Sequence, residues 1–200
     1  MRMDRNDWDA RYSSAELLWS AEPNQFLVQE VEDLPPGRAL DVACGEGRNA
    51  IWLASRGWQA TGVDFSPVAL DKGRRVADGR GVEVTWITAD LADWSPPVGA
   101  FDLVIVFYLQ LPGPLRRLVY RRMASGLAPG GTILVVGHDS QNLTEGFGGP
   151  QDASVLFSSD DVVADLGDLR VVKAGTVRRA VTSEPTTKWA IDALVRAVRP

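Results

Sequence analysis

Short apolar, β-branched runs alternate with segments of helical periodicity along this chain, an order that predicts a layered α/β fold on a mainly parallel sheet. Arg38–Ala43 reads as a first strand, introduced by Pro35, Pro36 and Gly37. After a glycine turn, Arg48–Arg56 places Ile51, Leu53 and Ala54 on the inner face of a helix that Gly57 ends. Gln59–Asp64 is a second strand. Ser66 and Pro67 give the next helix an N-cap serine and a first-turn proline, and it should run to about Asp78. Val82–Thr88 alternates as a third strand, and Phe101–Phe107 has the nearly continuous apolar character of a central strand covered on both faces. The pattern then predicts a helix from Pro114 to Ala128, stopped by Pro129, Gly130 and Gly131. A fifth strand at Thr132–Gly137, a short helix near Asp160–Leu166 and tail strands at Arg170–Val181 and Thr186–Leu194 complete the series. Residues 139–159 are long, polar and glycine-rich, which marks them as a candidate substrate loop.

Two hundred residues, 45% of them hydrophobic, suit a single domain over residues 1–200 with a full core and no staples. The one cysteine, Cys44, has no partner for an internal disulfide, and its small size is reason enough for its place in the glycine turn. The net charge of −5 and pI near 4.9 argue against nucleic acid or an anionic membrane as partner. Arg116, Arg117, Arg121 and Arg122 are the local exception, and a solvated helix face is the ordinary reading of them. The charged N-terminus resembles no signal peptide and no run is long enough to span a bilayer, so the expectation is a cytoplasmic protein.

The sharpest local signal is Asp41-Val-Ala-Cys-Gly45-Glu-Gly47-Arg-Asn-Ala50, which follows a strand and opens a helix. Glycines there let the backbone turn tightly and approach a nucleotide. Gly45, Gly47 and Ala50 also satisfy the dinucleotide fingerprint, so an NAD(P)-dependent oxidoreductase is the rival reading. Charge separates the two. A pyrophosphate at this turn would face Asp41 and Glu46, each contact at about 4–6 Å costing on the order of 3–4 kcal/mol at an effective dielectric near 20. A sulfonium donor would be attracted instead. Asp64, at the end of the second strand, can accept from ribose hydroxyls; Asp90, at the end of the third, can accept from an adenine amino group while Leu91 packs its ring. The short-chain dehydrogenase pair Tyr-x-x-x-Lys is absent, because Tyr12, Tyr108 and Tyr120 are followed four residues on by Glu16, Pro112 and Ala124.

Asp41–Gly47, Val63-Asp64, Ala89-Asp90-Leu91 and Leu127-Ala-Pro-Gly-Gly131 together resemble the successive motifs of class I S-adenosylmethionine-dependent methyltransferases. Trp8-Asp-Ala-Arg11-Tyr12, Trp19 and Pro23–Leu27 resemble the opening of the tellurite-resistance and thiopurine methyltransferase-like branch. The resemblance implies a Rossmann-like three-layer sandwich whose seven-stranded, mostly parallel sheet ends in an antiparallel hairpin. It also implies that residues 1–34 cap the cofactor and substrate, with Arg11 on the methionine carboxylate and Trp19 near the substrate mouth. Ala43, Asn49, Phe65 and Phe107 join Asp41, Gly45, Gly47, Asp64, Asp90 and Leu91 as expected cofactor neighbours.

Methyl transfer is an in-line displacement, so alignment and exclusion of water supply much of the acceleration. A hydroxyl acceptor also needs a base, whereas a sulfur, selenium or tellurium acceptor does not. His138, the only histidine, directly follows the fifth strand and is the candidate base or orienter, with Asp139 a possible ring partner. Tyr108 and Gln110 close the fourth strand and, with Asp152 of the long loop, complete the candidate substrate contacts. Some relatives carry a histidine near Tyr108, which this chain lacks. One histidine and one cysteine offer no dedicated metal site, an aspartate-held Mg²⁺ at Asp139 or Asp152 being the remaining option. The expectation is methyl transfer to a small molecule, by the chain alone or as a homodimer; the alternatives are the oxidoreductase and a cofactor-binding interaction protein without catalysis.

Overall fold

The computed structural model describes residues 4–181 and 186–200. Before the sheet come two helices, α1 (Arg5–Ser13) and α2 (Gln25–Val31). Asp4 caps α1 by a reciprocal pair of bonds with Asp7, and the Asn24 side chain accepts from Phe26 N to start α2. The first half of the sheet then follows: β1 (Arg38–Val42), α3 (Arg48–Ser55), β2 (Gln59–Asp64), α4 (Pro67–Gly79), β3 (Val84–Thr88) and β4 (Phe101–Phe107). The rest comprises α5 (Gly113–Ser125), β5 (Leu127–His138), the short α6 (Asn142–Glu145), a 3₁₀ turn at Ala153–Val155, α7 (Ser159–Leu166), β6 (Arg170–Val181) and β7 (Lys188–Val198). The strands form one seven-stranded sheet in the order β3-β2-β1-β4-β5-β7-β6. β1, β2 and β3 pair in parallel, while β7 runs antiparallel to both β5 and β6.

The chain's internal contacts group into two units. One runs from the N-terminal residues to Trp94 and includes Phe101–Ile105; the other comprises Ser95–Ala100 and Val106–Pro200. In the first, Leu40, Val42, Leu53, Val63 and Leu70 are wholly buried. Asp102 of β4 holds the start of β1, accepting from Arg38 N and both arms of its guanidinium. In the second, Ile133, Leu134, Val136, Tyr120, Met123, Phe157 and Val195 form the core. The β5–β7 register sets His138 opposite Asp192.

Three boundaries differ from the sequence pattern. α5 ends at Ser125 and not Ala128, with Gly126 as its C-cap and β5 beginning at Leu127; Gly126 packs so closely on Pro96 that a Cβ there would lie 2.6 Å from its ring. Pro129, Gly130 and Gly131 therefore lie inside β5 rather than ending a helix, where Gly130 N donates to Arg199 O and Arg199 N to Gly131 O. β7 extends to Val198, so the hairpin pairs over nearly its full length. Arg116 leaves the solvated face expected of it. It is buried against Asp165 at 2.7 Å and over the Phe157 ring, because Asp165 of α7 is itself buried and requires a cation.

Candidate active site

In the first unit, the carboxyl ends of β1 and β2 and the loop between β1 and α3 build a cradle. Asp41 is buried, and its Oδ2 accepts from Ala50 N at 3.1 Å in the first turn of α3. Burial pushes its carboxyl up to about 7, against the opposing pull of the Ala50 N–H and of Arg48. Asp64 accepts from Gly45 N at 2.8 Å through one oxygen and from Ser66 N at 2.9 Å through the other, tying the glycine loop to the start of α4. Burial raises its pKa despite those donors. Gly45 and Gly47 both have positive φ, at 55° and 74°. Their bare Cα atoms also admit neighbours: a Cβ would lie 2.7 Å from Tyr12 Oη at Gly45 and 2.2 Å from the Trp86 ring at Gly47. Ala43 joins them in the left-handed region at 54°, at the end of β1.

The N-terminal segment of this unit is clamped to the loop. Glu46 accepts from Leu18 N and Trp19 N at 2.9 and 3.1 Å and pairs with Lys72 at 3.4 Å. Lys72 also donates to the carbonyls of Tyr12 and Ala15, and Ser66 Oγ donates to Asp9. Asn49, expected beside the cofactor, accepts from Asn24 N at 2.9 Å. Arg11 is exposed on α1, its guanidinium 5.3 Å from the Trp8 ring and 5.6 Å from that of Trp19. The electrostatic picture thereby changes in detail. Glu46 shapes the cap and Asp41 the helix start, and two amides of the loop and first turn, Gly45 N and Ala50 N, already donate to carboxylates.

Asp90 follows β3 and accepts from Ala92 N at 2.9 Å, with Asp93 and Trp94 closing the turn on its carbonyl. Leu91 beside it is buried and Phe65 half-buried.

The second unit gathers a polar cluster that the sequence only half revealed. Tyr108, at the end of β4, has φ of 53°, a left-handed conformation rare for an aromatic residue. Its Oη donates to Asp192 Oδ2 at 2.8 Å and accepts from Arg179 Nε at 2.9 Å; Arg179 Nε reaches Asp192 Oδ2 at the same distance. The His138 ring packs on Tyr108 with centroids 5.1 Å apart, and its Nδ1 lies 3.3 Å from Asp192 Oδ1. That approach is close but poorly aligned, and both atoms are buried without a well-directed hydrogen bond. Asp192 is fully buried; burial pushes its carboxyl up, but the contacts with His138, Arg179 and Tyr108 outweigh it and hold it below the ordinary range.

The partner of His138 is therefore Asp192 and not Asp139, whose Oδ1 turns away to accept from Gln141 N and Ser140 Oγ. Gln110 donates to Val155 O at 3.2 Å, and its own carbonyl oxygen is buried without a partner. Phe107 is buried at the end of β4. Asp152 is exposed and caps the 3₁₀ turn through Ser154, whose hydroxyl and amide lower its pKa. The loop over residues 139–159 is anchored: Asn142 accepts from Ile191 N and donates to Gly148 O, and Phe157 is buried. Gly149 lies over His138, where a Cβ would come within 2.8 Å of its ring. Among the described residues no three His, Cys, Asp or Glu side chains come together as a metal site, and no helix is long and apolar enough to cross a membrane. Asp192 and Arg179 were missed. The signal was present: an aspartate inside the apolar run Ala190–Val195, on a strand antiparallel to the one carrying the only histidine.

A parallel half-sheet with a glycine loop after β1 and acidic strand ends, closed by an antiparallel β7 beside β5, defines the class I methyltransferase class of α/β fold. Residues 39–131 match the family described as Methyltransferase domain. It is 31% identical over 141 residues to a 2-heptyl-1-hydroxyquinolin-4(1H)-one methyltransferase of Mycobacteroides abscessus, covering 68% of this chain and 62% of that one. The chain spans between about half and three fifths of the length of the curated relatives it matches first. The fold is shared with TehB from Haemophilus influenzae (TM-score 0.74, 16% identity, 98% of this chain and 67% of that chain). It is shared equally with the N-methyltransferase NodS from Bradyrhizobium japonicum in complex with S-adenosyl-L-homocysteine (TM-score 0.74, 18% identity, 98% and 100%).

Proposed function

We propose that the chain transfers a methyl group from S-adenosylmethionine to a hydroxyl of a small molecule, with His138 as the general base. Bound in the cradle of the first unit, S-adenosylmethionine supplies an electrophilic methyl whose leaving group departs as a neutral thioether. Asp64 and Asp90 offer carboxylates to its ribose and adenine, Leu91 and Phe65 offer apolar surface, and Arg11 offers a cation to its carboxylate. The Arg11 assignment rests on the family resemblance, as does Trp19 as a substrate neighbour. The acceptor's proton passes to His138 as its oxygen pair forms the new bond to carbon, and the carbon–sulfur pair stays with sulfur.

The observation that carries a hydroxyl over a soft acceptor is the buried carboxylate 3.3 Å behind His138 Nδ1. A thiolate or selenide needs no proton removed, and so gives such an arrangement nothing to do. A small-molecule acceptor fits the acidic charge balance and the relative that acts on a hydroxyquinolinone. The test is release of S-adenosylhomocysteine across a panel of phenolic, sugar and thiol acceptors, for the unaltered chain and His138→Ala. With a hydroxyl acceptor the variant should lose about 10²–10⁴-fold in kcat while binding S-adenosylmethionine as before. Unchanged turnover, or activity with thiols alone, removes His138 from the mechanism.

A further inference from the structure

We propose that Asp192 and Arg179, through Tyr108, are positioning residues for His138: a buried carboxylate that selects its tautomer and supports its positive charge, held in turn by an arginine. The inference rests on the base role of His138 for its catalytic meaning, but its physical content concerns the second unit alone.

The direction of every proton in the cluster follows from donor chemistry. Arg179 can only donate, so Tyr108 Oη accepts from Nε at 2.9 Å and gives its own hydrogen to Asp192 Oδ2 at 2.8 Å. The same Nε–H is shared with Oδ2 at 2.9 Å. Asp192 thus enters the cluster as an ionised acceptor, with Oδ1 left over. The nearest polar neighbour the structure gives that oxygen is His138 Nδ1 at 3.3 Å, which has no aligned partner either. A buried polar atom left without a bond costs about 1–3 kcal/mol, so a small ring rotation that aligns the two is favoured. A carboxylate cannot donate, so Nδ1 must carry the hydrogen and Nε2 the lone pair. That is the tautomer a general base requires.

Backbone geometry supports the same assignment. Tyr108 holds φ of 53°, a conformation costing about 1–2 kcal/mol for a residue with a Cβ. It is retained by its N–H donating to Val136 O at 2.7 Å and by its hydroxyl in the cluster. Strain of this kind at a strand end persists where the side chain must point to a fixed place. The titratable or charged groups around His138 are Asp192 from β7 and Tyr108 from the end of β4, which touch it, and Arg179 from β6, which reaches it through Asp192; Asp139, next along the chain, turns its carboxylate to Ser140 and Gln141. The 139–159 loop contributes the uncharged Gly149.

The chain has one histidine, so the untagged protein gives a single imidazole Hε1 resonance that can be followed against pH without any acceptor. Asp192→Asn removes the supporting negative charge and should move the titration midpoint down. Arg179→Gln removes the competing positive charge and should move it up, each by about 0.5–1 unit. The imidazole ¹⁵N shifts separate positioning from charge alone: the unaltered chain should show the Nδ1–H tautomer in the neutral form and Asp192→Asn should lose that preference, whereas an unchanged tautomer in Asp192→Asn overturns the proposal. With a hydroxyl acceptor, Asp192→Asn should also lower kcat by about 10–100-fold at unchanged S-adenosylmethionine affinity. Midpoints that coincide with the unaltered chain, or move together, overturn the proposal. Should Asp192→Asn fail to fold by circular dichroism, the upward shift in Arg179→Gln decides alone. Failure of S-adenosylmethionine to bind by calorimetry would sink the methyltransferase reading and leave the titration result standing.

Discussion

A methyl group added at Gly47 would meet the Trp86 ring at 2.2 Å in a backbone whose φ is 74°. Overpacking and the left-handed conformation together should make Gly47→Ala about 2–4 kcal/mol less stable in urea unfolding. Gly79→Ala, at a helix end with nothing within 4 Å, should be neutral or slightly stabilising. The glycine pattern was legible as a nucleotide turn, whereas Trp86 and Tyr12 as its fillers were not, since the contact joins residues far apart in the chain. Asp41 makes a pH prediction. Its carboxyl is pushed from 3.8 to about 7, so the folded state holds the proton that the unfolded chain releases. The stability this gives is complete below about pH 4 and is lost as pH rises towards 7. Asp41→Asn can still accept from Ala50 N, and should flatten that slope and raise stability at neutral pH by up to about 3–4 kcal/mol. A urea midpoint at pH 7 no higher than that of the unaltered chain would contradict this.

At the scale of elements, strand positions were readable because each is a short apolar run between turn residues, and β2, β4 and β6 fall on the expected boundaries. The end of α5 was not, because the downstream Pro-Gly-Gly is taken into β5, which begins directly after Gly126. Helical periodicity likewise gave no reason to bury Arg116. Its ion pair joins α5 to α7, with Arg116 and Asp165 both buried and the second cation, Arg117, 60% exposed. Asp165→Ala strands a buried guanidinium and should destabilise by about 3–5 kcal/mol, whereas Arg116→Met with Asp165→Ala should recover most of the loss. Arg117→Ala should change stability by less than about 1 kcal/mol. Equal destabilisation by Asp165→Ala and Arg117→Ala would show that the α5–α7 junction does not depend on the buried pair.

Across the whole molecule, the class of cofactor was visible in four short motifs, but the polar cluster proposed to serve the acceptor is split between residues 108, 138, 179 and 192, which no local pattern joins. The net charge of −5 and the loop amides already bonded to Asp41 and Asp64 combine into one discriminating expectation. A dinucleotide would bring a diphosphate's negative charge to a loop that already holds Glu46 and Asp64, in an acidic protein, whereas a sulfonium ligand brings positive charge to it. Ligands that bind only the folded state raise stability by about 2.7 kcal/mol at a hundredfold excess over Kd. For a chain of this size that is a rise of roughly 5–10 °C in Tm. S-adenosylmethionine and S-adenosylhomocysteine should therefore each produce a shift of that order that saturates with concentration, while NAD and NADP leave Tm where it was. A saturable shift with NADP and none with S-adenosylhomocysteine would mean that the acidic loop admits phosphate, and the donor assignment would fall with it.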